Sequence, residues 1–326
     1  MAHPVKPDDG INDFPGRENF PCAVFQQSVL SICFVLPTGK FVRIMKLMKA
    51  VTECYPCLAR LARQSAQVAT TNEALRLEAV DAGMKMLDVY FSTDGLTIDV
   101  ATRIHRAVRE ATNNPDPYRA MKDREIALSR TLVEQVGAGI ANDFKAYLSL
   151  SLAGNAIDFF RSLDDVKKDI ESPLTYVVDD SAEFERKLKK AQRLLFLADN
   201  AGEVFFDLPL VRWLRQYVSL TYVVKESPVQ NDATIDDLRR AGLDGELGRV
   251  ITTGLATPGV IFEEASEEFR RAFAEADLVL AKGMGHWEGL TELPAKGKVL
   301  HCSMAKCKPV ADSMGVSLNS FVAILR

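Results

Sequence analysis

Along this chain the spacing of apolar and polar positions changes twice. Residues 1–44 are proline-rich and show no helical period, so they read as an irregular N-terminal extension. Met45 and Met48 stand directly before the first periodic segment, and two readings stay open: a leader ahead of a start near those methionines, or an ordinary irregular arm. From Lys46 to about Leu163 the pattern is helical. In NEALRLEAVDAGMKMLDVYF the apolar residues Leu75, Val80, Met84 and Leu87 recur near helical spacing, with Asn72 placed to cap the first turn. TIDVATRIHRAVREATNN predicts the next helix, stopped at Asn113-Asn114-Pro115. YRAMKDREIALSRTLVEQV predicts another, ended by Gly137 and Gly139, and a further helix is expected from Asn142 to Ser151.

After about Ser172 short apolar runs alternate with helical sequence. RLLFLAD, SLTYVVK, RVITTG, ADLVLAKG and KVLHCSM are the expected strands. A helix through Val211 and Trp213 follows the first, with Phe205, Phe206 and Trp213 on its buried face. DATIDDLRRAGL is expected to be a helix capped by Asp232 and closed by Gly242. Unbroken apolar strands alternating with helices predict a parallel sheet covered on both faces. The expected divisions are residues 1–44 for the extension, 45–171 for a helical N-terminal domain and 172–326 for an α/β domain binding metal and phosphate.

Ligands of such sheets bind beyond the carboxyl ends of the strands. Here RLLFLAD runs into Asp199 and Asn200, and SLTYVVK ends in Lys225 and leads to Asn231-Asp232. ADLVLAKG ends in Lys282-Gly283, and KVLHCSM leads to Lys306-Cys307-Lys308. Taken singly, an Asp or Asn there is a helix cap and a Lys is a solvated strand end. Caps do not explain why lysine follows a strand twice at the edge where carboxylates recur. Hydrolysis of a phosphate ester with a divalent metal uses that combination. A hard cation such as magnesium or manganese takes oxygen ligands, which Asp199, the Asn200 amide and Asp232 can supply. Lysines and helix N-termini then face the phosphate, and Gly202 lets the backbone turn close to the ion. Glu203 has two readings: it orients a metal-activated water, or it is a first-turn carboxylate favoured by the helix dipole. An aspartyl-phosphate hydrolase would want a second Asp where Ala201 stands. Neither a GxxxxGK[ST] phosphate loop nor a full GxGxxG fingerprint is present.

Composition narrows the alternatives. With 47% hydrophobic and 26% charged residues and a net charge of −4, the chain can bury a core but offers no basic stripe to nucleic acid. CAVFQQSVLSICFVLP is interrupted by Gln26-Gln27-Ser28 and is too short to span a bilayer, and the preceding Asp8, Asp9 and Asp13 are unlike a secretory signal. Six cysteines are too few for a disulfide scaffold in 326 residues. The expectation is a cytoplasmic, soluble protein whose partner is a small phosphorylated metabolite, with no nucleic acid and no membrane, and with its oligomeric state open.

LADNAGEVFFD, VVKESPVQNDAT, ADLVLAKGMGHWEGL and MAKCKPVADSMGV resemble, in order and spacing, motifs of the damage-control phosphatase family, also called domain of unknown function 89. ECYPC at 53–57, DPYRAMK at 116–122 and GNAIDF at 154–159 resemble its N-terminal markers. The resemblance runs from about Met45 to Arg326, and the Cys54-x-x-Cys57 pair is similar to the branch found mainly in archaea and bacteria. It implies a metal-dependent phosphatase with a three-layer α/β/α core, its sheet mostly parallel and doubly wound, and a helical N-terminal part. By motif match Asp199, Asn200 and Asp232 would be the metal ligands. Asn231 and Lys306 would lie beside the phosphate, with Lys282, Asn155 and Asp158 nearby. Manganese, cobalt, nickel or magnesium would be the cofactor, and sugar phosphates or nucleotide- and cofactor-like phosphates the substrates. Two departures bear on substrate choice: Glu226-Ser227 where the family usually has glycines, and His286 where it usually has Asn.

Cys54-Tyr55-Pro56-Cys57 opens a helix. It would be half of a zinc site if the fold brought Cys302 and Cys307 to it, a redox pair with thiols acidified by the helix N-terminus, or small apolar packing. His105 lies in a helical stripe and reads as structural. A non-catalytic phosphometabolite- or nucleotide-binding regulator on the same sheet is the alternative to the enzyme. A methyltransferase-like cofactor binder lacks its glycine fingerprint.

Overall fold

The computed structural model describes residues 34–35, 41–42, 48–156 and 174–326. Contacts divide the chain into Met1–Arg43 and Ile44–Arg326. In the first unit two short strands, β1 (Phe34–Val35) and β2 (Phe41–Val42), pair antiparallel. All the other elements belong to the second.

Helices α1 (Cys54–Ala69), α2 (Glu73–Tyr90) and α3 (Thr97–Thr112) pack around Leu58, Ala62, Ala66, Ala79, Leu87, Ile104 and Val108. The alanine stripe of α1 lets the helices approach closely. A Cβ added at Gly83 of α2 would stand 3.1 Å from that of Ala62. Asn72 caps α2 as expected, accepting from the Leu75 N–H at 3.2 Å, and Asn113 ends α3 in a left-handed conformation. Helices α4 (Arg119–Val136) and α5 (Phe144–Ala156) turn away from this bundle and pack on the sheet. Residues expected to be helical beyond 156 lie outside the described part.

The sheet has seven strands: β3 (Tyr176–Asp179), β4 (Arg193–Leu197), β5 (Ser219–Val224), β6 (Arg249–Thr252), β7 (Leu278–Lys282), β8 (Val299–Met304) and β9 (Phe321–Leu325). Their order is β3-β9-β8-β7-β4-β5-β6. The five strands expected from the sequence are the parallel neighbours β8, β7, β4, β5 and β6. β3 and β9 are additions, paired parallel with each other, and β9 runs antiparallel to β8. β3 carries the same LTYVV run as β5, but at the sheet edge its positions alternate between half-buried and exposed.

Successive residues of a strand face opposite sides, and both sides here are covered. Leu194 and Phe196 face α5, α6 (Ser181–Leu188), α7 (Val204–Leu214) and α8 (Ile235–Arg240). Leu195 and Leu197 face α9 (Glu267–Glu275) and α10 (Met284–Leu290). A final helix, α11 (Lys308–Met314), packs Val310 and Met314 beside Trp287. The result is a three-layer α/β/α core, in which each fully buried Phe or Leu contributes about 1.5–3 kcal/mol. From β4 the chain builds outward through β5 and β6, then crosses back to β7 on the other flank. That reversal opens a crevice beyond the carboxyl ends of β4 and β7. Among the described residues no helix is long and apolar enough to cross a membrane.

Two buried histidines set an acid limit on this core. His301 on β8 packs edge-on against Trp287 at 5.0 Å, and neither ring nitrogen has a hydrogen-bond partner. His105 on α3 meets Ser65 through Nδ1. Burial pushes both imidazoles down to about 3, whereas in the unfolded chain they protonate near 6.5, to within about a unit. The folded state therefore binds fewer protons, and their contribution is intact above about 6.5 and lost as the pH falls toward 3. Urea unfolding followed from neutral to acid pH should show a falling midpoint, with a shallower fall in His301→Phe.

Candidate active site

Two loops at the carboxyl edge are joined by backbone hydrogen bonds. The Ala233 N–H donates to the Asp199 carbonyl at 2.9 Å and the Ala201 N–H to the Asn231 carbonyl at 2.8 Å. Asn200 and Asp232 form an isolated antiparallel bridge, and Lys225 and Thr234 a parallel one. The ladder thus continues past the strands and sets Asp199, Asn200, Asn231 and Asp232 side by side.

None of these side chains is consumed as a cap. The expected cap of α8 by Asp232 is corrected. Thr234 occupies that position, accepting from the Asp237 N–H at 3.3 Å while the Asp237 carboxylate accepts from the Thr234 N–H at 2.9 Å. Lys122, fully buried on α4, holds Asp237 at 2.9 Å and Asp116 at 2.8 Å, fixing this turn against the helical segment. Asn200 precedes a short helical turn at Ala201–Glu203 without capping it through its side chain. Gly283, after β7, permits a close approach to Asp199. Gly283 has φ +81°, and a Cβ there would sit 2.2 Å from Asp199 Oδ2.

Beneath the loops lies a buried polar network. Lys282, fully buried, holds Glu203 Oε2 at 2.6 Å and Asp207 Oδ1 at 2.5 Å. Asp207 also accepts from Ser151 at 2.6 Å and from the Tyr222 hydroxyl at 2.8 Å. Glu203 Oε1 accepts from the amides of Asn155 at 2.8 Å and Asn200 at 2.6 Å, and Asn155 also donates to Asp199 Oδ2 at 2.8 Å. With the Asn200 NH₂ committed to Glu203, its carbonyl oxygen is the end left to act as a ligand. On the other side Lys225 donates to the Gly259 carbonyl at 2.8 Å and lies 3.1 Å from His286 Nε2. His286 Nδ1 donates to the Lys282 carbonyl at 2.6 Å, so Nε2 is the acceptor. Lys225 also stands 3.5 Å from Asp232 Oδ2, an oxygen that makes no hydrogen bond. Burial, with the charges of Glu203 and Asp232, drives the Asp199 carboxyl well above its ordinary range, and burial raises Asp232 despite Lys225.

Above this floor is a cavity of about 480 Å³ lined by Asp199, Asn200, Glu203, Asn231, Asp232, Asn155 and Lys306, among others. Its opposite wall comes from α1 and α3, so the helical segment completes the site.

Sequence and structure comparisons fit this geometry. A family model described as the damage-control phosphatase ARMT1-like domain matches residues 50–322. The chain belongs to the damage-control phosphatase ARMT1-like family. A relative named damage-control phosphatase from Archaeoglobus fulgidus is 33% identical over 291 residues, covering 85% of this chain and 99% of that one. A second of that name, from Pyrococcus horikoshii, is 31% identical, covering 85% and 98%. A crystal structure titled as a family member of domain of unknown function 89, from Pyrococcus horikoshii, superposes with a TM-score of 0.80 at 30% identity, over 85% of this chain and 99% of that chain.

Within this family member the expected site residues fall into two groups. Asp199, Asn200, Glu203, Asn231, Asp232, Asn155 and Lys306 line the cavity. Lys225 and Lys282, expected to face the phosphate, instead lie behind that lining, each buried against carboxylates. Asp158 lies outside the described residues. Glu226 is exposed and accepts from Thr252, so its charge points away from the cavity, whereas His286 belongs to the buried floor. Sequence reasoning missed Asp207, Glu125 and Glu288. Asp207 had a visible signal, an acid inside the apolar run VFFDLPL. Glu125 accepts from Asn231 at 3.2 Å, and Glu288 accepts from Thr97; only the fold brings these to the cavity.

The cysteines separate. Cys54, Cys57 and Cys307 line the cavity, but Cys302 is buried in the sheet core. The tetrad expectation therefore fails, and among the described residues no three His, Cys, Asp or Glu side chains are placed to hold a metal. A metal at Asp199 and Asp232 needs the Asn200 amide as third donor. Burial raises the Cys54 thiol above its ordinary range.

Asp207→Ala leaves Lys282 paired with Glu203 but takes the acceptor from the buried Ser151 and Tyr222 hydroxyls, and should destabilise the protein by about 1–3 kcal/mol in urea unfolding.

Proposed function

We propose that this chain is a divalent-metal-dependent phosphomonoester hydrolase acting on small phosphorylated metabolites, with sugar phosphates and nucleotide- or cofactor-like phosphates as the substrate range. The names of its relatives support phosphatase chemistry. The observation that carries the metal reading is the pair of buried carboxylates, Asp199 and Asp232, raised by burial and joined through the Asn200–Asp232 bridge without capping any helix. Such a pair is costly when ionised alone and favourable around a cation. The donor set is all oxygen, which suits magnesium or manganese; cobalt and nickel belong to the range the family resemblance implies. When bound there, the ion would supply Lewis acidity to the phosphoryl oxygens and to water.

The residues of the chain divide the remaining work. Lys306, which donates to the Asn155 carbonyl, and Asn231, held by Glu125, would bind the phosphate oxygens. Asn155 fixes the Asp199 carboxylate. Glu203 has both oxygens occupied, so its role is to orient the Asn155 and Asn200 amides and not to take a proton. Lys282 neutralises Glu203 from behind, and Lys225 steadies Asp232.

Asp199→Ala should abolish metal-stimulated phosphate release while circular dichroism and melting remain native; full activity in that variant overturns the proposal. Ligand binding without any phosphate release by the wild type, with manganese or cobalt added, would favour a non-catalytic binder. Gly283→Ala places an alanine in an extended positive-φ backbone, φ +81° and ψ 163°, at a cost of about 1–3 kcal/mol, and drives a methyl group into Asp199. The rise in melting temperature caused by manganese should therefore shrink in that variant.

A further inference from the structure

We propose that the far wall of the cavity, carrying Glu53 and Glu288, selects phosphomonoesters whose leaving group bears an amine cation. The inference rests on the phosphatase reading and concerns which ester the site accepts. Among the described residues the cavity is lined by six carboxylates, Glu53, Glu125, Asp199, Glu203, Asp232 and Glu288, against the single ammonium of Lys306. Four of the six are accounted for. Asp199 and Asp232 face the proposed metal, and Asp232 Oδ2 is buried without a hydrogen bond, aimed for a ligand. Glu203 is balanced by Lys282, and Glu125 accepts from Asn231.

Glu53 and Glu288 remain, and neither forms an ion pair among the described residues. Glu288, on α10, accepts from the Thr97 hydroxyl of α3. Glu53 directly precedes Cys54 at the start of α1 and Glu288 is bonded to Thr97 at the start of α3, and all four residues line the cavity. The lining of the same cavity includes Leu58, Leu61, Ile98 and Ala101 of α1 and α3, apolar side chains against which a carbon skeleton can pack. A leaving group with a second phosphate or a carboxylate would bring like charge against Glu53 and Glu288 with no cation to offset it, a juxtaposition that is strongly penalised. An ammonium there gains two carboxylates. Burial alone pushes the Glu288 carboxyl up to about 7, a cost that a bound cation relieves. The wall therefore discriminates by attraction and by repulsion together.

The test uses the full chain with manganese and three esters: aminoethyl phosphate, its N-acetyl derivative and phosphoglycolate. The expected kcat/KM for aminoethyl phosphate exceeds that for the N-acetyl ester by about tenfold, mainly through KM, with phosphoglycolate lowest. Glu288→Gln should bring the ratio of the first two toward one, and Glu53→Gln, at an exposed position, should lower it in part. Equal values for the three esters, a preference for phosphoglycolate, or an unchanged ratio in both variants overturns the inference. If none of the three, nor p-nitrophenyl phosphate, releases phosphate, the phosphatase reading falls by itself. Calorimetric binding of the same esters then decides the selectivity: tightest binding of the amine supports it, and equal or reversed affinities overturn it.

Discussion

Lys282 is buried where β7 ends, with its ammonium between Glu203 and Asp207, and the polar floor of the cavity is assembled around that charge. A buried ammonium is tolerated only when paired and hydrogen-bonded. Here it has two carboxylates, and each of those is held by further donors. Because Glu203 is pinned by Lys282, its other oxygen can hold the amides of Asn155 and Asn200. The Asn155 amide in turn fixes Asp199. One charge placed by the sheet thus fixes the orientation of three side chains at the cavity surface. Full satisfaction also makes the floor rigid, since any member that moved would leave a buried partner unpaired.

The sheet supplies the second constraint. Reversal of strand order between β4 and β7 creates a crevice, and hydrogen bonds that continue past β4 and β5 bring two loops together in it. Gly283 on the facing strand leaves room for the Asp199 carboxylate. The helical segment then closes the opposite wall, where apolar side chains from α1 and α3 meet Glu288 of α10. Charge is distributed unevenly over the described lining, with six carboxylates, one lysine and apolar side chains from α1 and α3.

Much of the site was legible before any fold was known. Strand ends rich in Asp, Asn and Lys, following apolar runs, pointed to the carboxyl edge of a parallel sheet, and the seven cavity-lining residues named from the sequence do share one cavity. The lysines were legible only as cations. Whether a lysine at a strand end meets solvent, phosphate or a buried acid depends on which helix covers it, and α7 places Asp207 under Lys282. The cap reading of Asp232 failed for a related reason. Thr234, two residues later, sits where its hydroxyl can accept from Asp237, and the bridge between Asn200 and Asp232 holds the aspartate elsewhere.

Local sequence determined the alternation of helix and parallel strand, because the period of apolar residues fixes which face of each element is buried. It also determined the order of the strand-end motifs. Only the tertiary structure decided which motifs meet, since strand order is set by packing between segments distant in the chain. β3 and β9 illustrate the limit: β3 shares the LTYVV run of β5 yet lies at the sheet edge, and β9 runs antiparallel against β8 through pairing that no local pattern encodes. Glu125 and Glu288 show the same limit at the site. Each lies on a helix whose own sequence says only which face is buried, and the packing of that helix in the fold is what turns its carboxylate into part of the cavity lining.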